Sequence, residues 1–477
     1  AIRYIPKEVD LEMTSGQVYG DVFDISESSD LGNEIGGVIN IPLITDQLGF
    51  RASFNRLDDP GFIDYNYIVR EGGVSLPDPD WDDPQAVEQN LRRVEDANGE
   101  ETLTARAALR WMPTDWLDST LTYFYQKQDV EGRSIVHHDV LAPTNALAGR
   151  VGEYESAYRY EEPREKTDEL LSLEIKADLG FAELVSATGK SSFEADGQRD
   201  QTDLLIRLNY SYEEFPAFSS FTRELDNVDI FTQEIRLVST TDSALSWIVG
   251  AFYNKIESDG SSSEFTPNYD QFVLDVFGTG GNPRPDSLEY LSVSNSETTE
   301  KAFFGELTYA VNDKLDITVG ARQYKYDVET TSAIDLPLFR SAFNGDPSDS
   351  IELDFDTTGA DDSGTLLKFN ASYQFDDTLL GYFTVSEGFR IGGANGVAAC
   401  PDNVDDLPNQ IVCALPNEQV YVADTTTNYE LGFKSTWFKN KFHFNAALFN
   451  VDWDDAQDSG AKKKGKQAKT GQSNGAH

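Results

Sequence analysis

The chain has 477 residues, with 38 basic and 83 acidic side chains and a formal net charge of −45. This acidity argues against binding to nucleic acid, whose phosphates need a basic surface, and against a basic helix lying on a membrane. No run of about 18 apolar residues occurs, so no membrane-spanning helix is expected, although alternating strands cross membranes without such a run.

Residues 1–14 contain no apolar stretch of the length that a signal peptide needs. An alternating segment near residues 15–24 predicts the first strand. Short turns then recur along the chain, and each separates two alternating runs of about 10 to 15 residues. The turns are 43–47, 112–116, 177–181, 239–243, 311–314, 375–378 and 438–441. This repeat predicts a series of antiparallel hairpins.

Long polar stretches separate the hairpins, at 59–100, 130–166, 197–226, 259–298, 331–362 and 393–423. A strict alternation of short turns and long loops is typical of outer-membrane barrels, whereas sandwiches and propellers have mostly short connections. We therefore predict an all-β fold, with an antiparallel transmembrane β-barrel over residues 15–455. About 15 strands are counted, and an even number is usual, so the barrel is expected to be incomplete.

The alternation ends at Asp455, and residues 456–477 form a lysine-rich polar tail. We interpret this segment as lying outside the barrel, as an artefact or a fragment end rather than a basic functional tail.

Each strand has one apolar and one polar face. In residues 314–324, Ile317 and Val319 alternate with Asp316, Thr318 and Arg322. A charge at the bilayer midplane costs about 2–4 kcal/mol for Arg or Lys, so the polar face is expected to line the lumen. The side chains predicted to face lipid are Leu315, Ile317, Val319, Phe369, Phe442 and Phe444. A sandwich core would show the same alternation, but aromatic residues cluster beside the turns, as at a membrane interface.

The sequence offers little evidence for catalysis. Its 4 histidines form no readable triad, and the adjacent His137 and His138 are interpreted as a solvated loop. Residues 78–89 begin like a calcium loop but lack its glycine and its final glutamate. No metal site, no cofactor and no enzymatic activity are therefore expected. Cys400 and Cys413 are predicted to form a disulfide in an oxidising compartment, with two unpaired thiols as the alternative.

Several stretches together resemble the barrel of TonB-dependent outer-membrane receptors. They are "FTQEIRLVSTTDSALSWIVGAFY" (231–253), "FGELTYAVNDKLDITVGARQYKYD" (304–327), "LLKFNASYQFDDTLLGYFTVSEGFRIGGANG" (366–396) and "YELGFKSTWFKNKFHFNAALFNVDWDD" (429–455). The segment "IRYIPKEVDL" (2–11) resembles the junction between that family's plug and its first barrel strand. The resemblance therefore implies that residues 1–14 are the end of a plug. It also implies a barrel of the 22-stranded type in the outer membrane of a Gram-negative bacterium.

The same resemblance implies active import of ferric siderophores or similar iron complexes. The partners would be outer-membrane lipid, the nutrient, and the TonB complex of the inner membrane, which would act through the plug. Uptake of another nutrient, such as cobalamin or a carbohydrate, stays open, as do a passive porin and a secreted sandwich. Tyr324, Tyr326, Arg390 and Asn395 are candidate ligand contacts by position, with a structural role at the rim as the alternative.

Overall fold

The computed structural model describes residues 6–136, 151–202, 219–241, 243–278, 281–395, 419–464 and 467–474. Its main feature is a 15-stranded antiparallel sheet. The strands of this sheet are β1 (Ser15–Asp24), β2 (Leu31–Ile44), β3 (Leu48–Asp59), β6 (Glu100–Thr114), β7 (Leu117–Val130), β9 (Arg164–Asp178), β10 (Ala182–Asp200), β11 (Phe221–Ser239), β12 (Leu245–Phe265), β13 (Leu288–Asn312), β14 (Leu315–Asp335), β15 (Asp356–Asp376), β16 (Leu379–Arg390), β19 (Asp424–Trp437) and β20 (Phe442–Asp454). The predicted strand count and antiparallel class are confirmed.

Strands of this sheet are neighbours in chain order, from β1 at one edge to β20 at the other. Within the described residues these two edge strands do not pair, so the sheet is an open one. The seven predicted short turns each join two neighbouring strands and therefore lie at one end of the sheet, the turn end. In the last of them Phe438, Lys439 and Asn440 have φ angles of 53°, 58° and 65°. The long connections lie at the opposite end, the loop end.

The strands extend further towards the loop end than predicted. β13 has 25 residues, and β12, β14 and β15 have 21 each. Both ends of each of the stretches 197–226, 259–298 and 331–362 are therefore strand and not loop, which corrects the bounds given in the sequence analysis. The reason is that many of these strand ends are largely polar, as in "DGSSSE" (259–264) and "DTTGADD" (356–362), and a ladder whose two faces are both polar gives no hydrophobic period. Cross-strand hydroxyl contacts, such as Thr331 with Thr357 at 2.8 Å, accompany the ladder.

Two faces follow from the strand register. Along one row Thr122, Ser172, Gly189, Thr232, Asn254, Glu300 and Tyr326 are successive partners, and we call their side the inner face. On the other side, the outer face, Val319 is opposite Phe369 and Phe369 is opposite Val385. Val319 and Phe369 are 48% and 38% exposed. The apolar side chains of the sheet are therefore on its exposed face.

Segment 6–13 lies on the inner face near the turn end. Val9 and Leu11 are buried there against Ala108 and Met112. The Arg110 guanidinium donates hydrogen bonds to the Val9 carbonyl and the Glu8 carboxylate, each at 3.3 Å. This segment thus approaches strand β1 along the inner wall of the sheet.

Smaller elements cover the loop end. They are β4 (Asp64–Val69), α1 (Pro84–Asn90), β5 (Leu91–Val94), β8 (Glu155–Ser156), α2 (Tyr269–Phe277), α3 (Pro337–Phe339) followed by a π-helical turn (Arg340–Asn344), β17 (Gly393–Ala394) and β18 (Val420–Tyr421). None of the helices in the described part of the chain has the length and apolar character needed to cross a membrane.

The lysine-rich tail is not part of the large sheet. Strands β21 (Gln457–Lys464) and β22 (Gln467–Asn474) pair with each other in a separate two-stranded sheet. The sequence analysis did not predict these strands, because the tail has no apolar alternation.

Candidate functional site

The inner face of the sheet carries ion pairs at the level where the outer face is apolar. Lys368 Nζ lies 2.7 Å from Glu306 Oε2, and an Arg322 Nη2 lies 2.7 Å from Glu300 Oε1. Both pairs join side chains of different strands. Charged side chains are usually placed where water can reach them. The inner face is therefore suited to contact with water at this level, whereas the outer face is apolar.

An open cleft of about 540 Å³ lies on this inner wall across β11 to β16. Its cations are Arg236, Arg322 and Lys368, and its lining also contains two carboxylates, Glu306 and Glu387. The apolar side chains that line it on the inner face are Val238, Ile248, Phe304 and Leu366. The Arg322 guanidinium also lies 5.1 Å from the centre of the Phe252 ring. A cleft of this kind can bind a bulky ligand that has both anionic oxygens and an apolar body.

Strand alternation alone predicts that Arg322 and Lys368 lie on the inner side, but it gives no reason to group them. Their grouping depends on the register, which puts Gly320 opposite both Glu306 and Lys368. The glycine leaves room between two longer side chains. Sequence reasoning missed the cleft because a register between strands about 50 residues apart is not encoded in a local pattern.

The candidate contacts Tyr324 and Tyr326 also lie on the inner face, above the cleft. They are 4% and 2% exposed, and the Tyr324 ring stacks on Phe389 at 3.7 Å. Strand β16 pairs with β15 only as far as Ser386. Beyond that point the Phe389 ring lies over Tyr324 on the inner face. A Cβ on Gly392 would lie 2.8 Å from the Tyr326 hydroxyl, so only glycine allows this close approach. Both tyrosines therefore support the segment after β16.

Arg390 and Asn395 lie in the same region. An Arg390 Nη2 forms an ion pair of 2.6 Å with Asp424, which is 3% exposed. Asp424 also accepts a hydrogen bond of 3.0 Å from the indole N–H of Trp453. The backbone N–H of Asn395 donates a hydrogen bond to the backbone carbonyl of Gln419 at 2.8 Å. The structure thus brings all four candidates around one loop base, where their contacts are within the chain, and a contact with ligand stays a prediction.

A three-stranded sheet of β5, β4 and β8 stands above the large sheet at the loop end. We call it, together with residues 133–136 and 157–162, the loop layer. Its core contains Ile63, Tyr65, Ile68, Ala97 and Tyr158. The Glu162 carboxylate is fully buried beneath it and accepts hydrogen bonds from Arg133 at 2.5 and 2.9 Å. An ordered layer of this kind gives the loop end a fixed rim.

Arg159 and Asp200 lock this layer onto the end of β10. Asp200 Oδ2 accepts the backbone N–H groups of Arg159 and Tyr160 at 2.8 and 2.9 Å. The Arg159 Nε donates to the Pro77 carbonyl at 2.6 Å, and its guanidinium lies 5.7 Å from the centre of the Tyr67 ring. Burial raises the pKa of Asp200 to about 7 and lowers the pKa of Arg159 to about 10.

A second cluster at the loop end joins α2 to the turn after α3. Leu338 and Ala342 are fully buried against Tyr269 and Phe272. Arg340 pairs with three acidic side chains, Asp335, Asp346 and Glu352, at 3.1, 2.9 and 2.7 Å. The sequence analysis treated these stretches as polar loops and did not predict their order.

Within the described ranges, no group of three or more His, Cys, Asp or Glu side chains is arranged to hold a metal ion. His137, His138, Cys400 and Cys413 lie outside the described residues. The predicted disulfide therefore remains untested by this geometry.

Most of the chain matches a known protein family. The family model described as TonB dependent receptor-like, beta-barrel matches residues 143–470. The chain belongs to this family. Its members are transport receptors of the outer membrane, so the chain is an outer-membrane protein of a Gram-negative bacterium.

Solved structures show the same fold. The ferric yersiniabactin uptake receptor FyuA from Yersinia pestis has 14% identity and a TM-score of 0.65, over 94% of this chain and 56% of that one. The ferric-catecholate import receptor Fiu from E. coli K12 has 14% identity and a TM-score of 0.58, over 95% of this chain and 60% of that one. The siderophore receptor PiuA from Acinetobacter baumannii has 12% identity and a TM-score of 0.56, over 93% of this chain and 57% of that one. The chain therefore spans less than two thirds of the length of these receptors.

Proposed function

We propose that this chain is the barrel part of a receptor that imports ferric siderophores or similar iron complexes with energy from the TonB complex. Family membership supports a transport role, and the structures that share its fold include receptors described as taking up ferric siderophores. Import requires the whole receptor, and the proposal concerns that receptor.

The cleft on the inner wall is the observation that carries this proposal. Guanidinium and ammonium groups bind carboxylate or catecholate oxygens through charge-assisted hydrogen bonds. Arg322 and Lys368 each use one donor in their ion pairs with Glu300 and Glu306, and both groups have further N–H donors that can contact a ligand. Leu366 and Phe304 offer apolar contact beside them. A ferric chelate with anionic ligand atoms and an apolar periphery matches this combination, whereas a wide passive pore requires no such cleft.

Two further assignments belong to the same proposal. The apolar outer face, which includes Leu315, Ile317, Val319, Phe369, Phe442 and Phe444, would contact the acyl chains of the membrane. All six belong to the outer face by register, although both faces of the edge strand β20 are exposed.

Residues 1–14 would connect a plug to the barrel, which the position of segment 6–13 on the inner face supports.

The test is uptake of ⁵⁵Fe by iron-limited cells that produce the receptor, with and without a functional TonB complex. Wild-type uptake should require TonB. The Arg322→Gln/Lys368→Gln double variant should raise the half-saturating chelate concentration by roughly tenfold or more, because each lost charged hydrogen bond is worth about 1.5–3 kcal/mol.

The matched control is Arg56→Gln/Lys127→Gln, which removes the same charge from the outer face. It should leave uptake within about twofold of wild type. Uptake that persists without TonB would indicate a passive porin. TonB-dependent growth on cobalamin or a carbohydrate, without iron uptake, would indicate another nutrient.

A further inference from the structure

The outer face carries a level of cations just beyond its apolar band. Its members are Arg56, Lys127, Lys190, Lys255, Lys301 and Lys325. On β14 the apolar residues of this face run from Leu315 to Ala321, and Lys325 follows ten residues after Leu315. At about 3.4 Å per residue and a strand tilt of about 40°, this distance is about 26 Å along the barrel axis. That height is close to the roughly 25 Å of a transmembrane apolar band.

Three of these six cations have acidic partners, and Lys190, which has no ion pair among the described residues, is opposite Phe231 and Leu171 and not opposite another cation. Arg56 pairs with Glu101 at 2.8 Å, and Lys255 pairs with Glu257 and Glu297 at 2.8 and 3.1 Å. Lys127 pairs with Glu165 at 2.7 Å. Such pairs are common on an acidic protein surface, and each of these three cations has at least one carboxylate that offsets its charge.

Lys301 and Lys325 differ from them. They are directly opposite each other on β13 and β14, and both are exposed. Across the described part of the chain, no carboxylate lies within ion-pair distance of either. Like charges directly opposite each other destabilise a sheet. In a chain with 83 acidic and 38 basic residues, two facing lysines without an acid favour an external anion as their partner.

The surroundings of this lysine pair fit one kind of anion. Tyr253 lies in the same row, and Lys301 Nζ is 5.9 Å from the centre of its ring. Phe303, one step closer to the turn end on the same face, is 73% exposed. An aromatic ring at the boundary and an apolar surface below it suit a molecule with a charged head and a hydrocarbon tail.

We propose that Lys301 and Lys325 bind the phosphate of an outer-leaflet lipid headgroup, whose acyl chains lie along the apolar face below. The inference rests on the proposed contact of the outer face with lipid. The two ammonium groups would share the phosphate oxygens, which would remove the repulsion between them. Asp327, one step higher on the same face, would limit how far the headgroup extends.

The test uses the receptor in phosphatidylcholine nanodiscs, titrated with bisphosphorylated lipid A or with the same lipid after removal of its phosphates. Wild type should bind the phosphorylated lipid more tightly. Lys301→Gln/Lys325→Gln should weaken that binding by roughly thirtyfold, since each lysine near a charged surface contributes about 1 kcal/mol. Lys301→Arg/Lys325→Arg should retain it.

Lys439→Gln/Lys441→Gln is the matched control, because it removes the same charge at the turn end. It should change binding by less than about twofold. Equal binding of both lipids by wild type and the Lys301/Lys325 variant would overturn the site while leaving lipid contact intact. Displacement of the lipid by an equal concentration of inorganic phosphate would show a free-anion site and would also overturn it. If neither lipid associates with any variant, the lipid contact of the outer face itself fails.

Discussion

Removal of the Arg133 side chain should lower the free energy needed to open the loop layer. Glu162 is fully buried, while Arg133 is 39% exposed and donates two hydrogen bonds to it. In Arg133→Ala the donors left to the carboxylate among the described residues would be the Tyr65 hydroxyl at 3.3 Å and the backbone N–H of Asp200 at 2.9 Å. Breaking a buried ion pair from one side costs about 3–5 kcal/mol. Because two donors remain, we expect the lower value, about 3 kcal/mol.

Arg56→Ala is the matched control, since the Arg56–Glu101 pair is about half exposed on both sides and worth at most about 1 kcal/mol. Hydrogen exchange of peptides 62–69 and 155–162 measures the opening of the layer. A loss of 3 kcal/mol accelerates exchange by roughly 150-fold, if the layer opens separately from the barrel. Equal acceleration in both variants would show that the buried carboxylate does not hold the layer.

Three further predictions concern the loop layer, the two faces and the cysteines. Because burial raises the pKa of Asp200 from 3.8 to about 7, the folded state keeps a proton that the unfolded chain loses. The layer should therefore lose stability as pH rises between these values. Limited proteolysis within residues 151–163 should then be faster at pH 8 than at pH 5. Faster proteolysis at pH 5 would contradict the burial assigned to Asp200. Ile317→Arg should cost about 2–4 kcal/mol of barrel stability and Thr318→Arg much less, measured by urea unfolding in lipid vesicles; similar costs would mean that the faces are misassigned. Cys400 and Cys413 should show no free thiol on alkylation without reductant, and two labelled thiols would refute the disulfide.

The sequence was sufficient for the hairpin order, because each turn is flanked by runs with a period of two. Asp376 and Asp377 fall between two such runs and mark a turn without any tertiary information. The same period separates Ile317 from Thr318. These features are local, so a single sequence contains them.

The ordered loop end could not be predicted in the same way. Arg159 gives no sign of full burial in the sequence, because its partners Pro77 and Asp200 come from distant segments. Likewise, Leu338 and Ala342 belong to a short segment, "LPLFRSAF" (336–343), whose packing partners Tyr269 and Phe272 come from a distant part of the chain. Tertiary contacts determine both clusters, and local composition indicated only solvated loops.

The candidate ligand residues show a related limit. Tyr324 and Tyr326 were chosen by position on the inner face, and the structure does place them there. Their burial beneath the segment after β16 depends on where that strand leaves the sheet. The cleft around Arg322 and Lys368 depends equally on register. Strand alternation therefore identifies the wall that faces a ligand but not the part of that wall that binds it.

The central claim is that the outer face meets lipid while the inner face lines the path of the ligand. Nitroxide labels at the adjacent residues Ile317 and Thr318, in receptor reconstituted into lipid vesicles, test it most directly. The label at Ile317 should be reached by oxygen dissolved in the bilayer and protected from a water-soluble nickel complex, and the label at Thr318 should lack this lipid signature. Protection of the Ile317 label from both probes would mean that the outer face is a protein core, which would contradict the account.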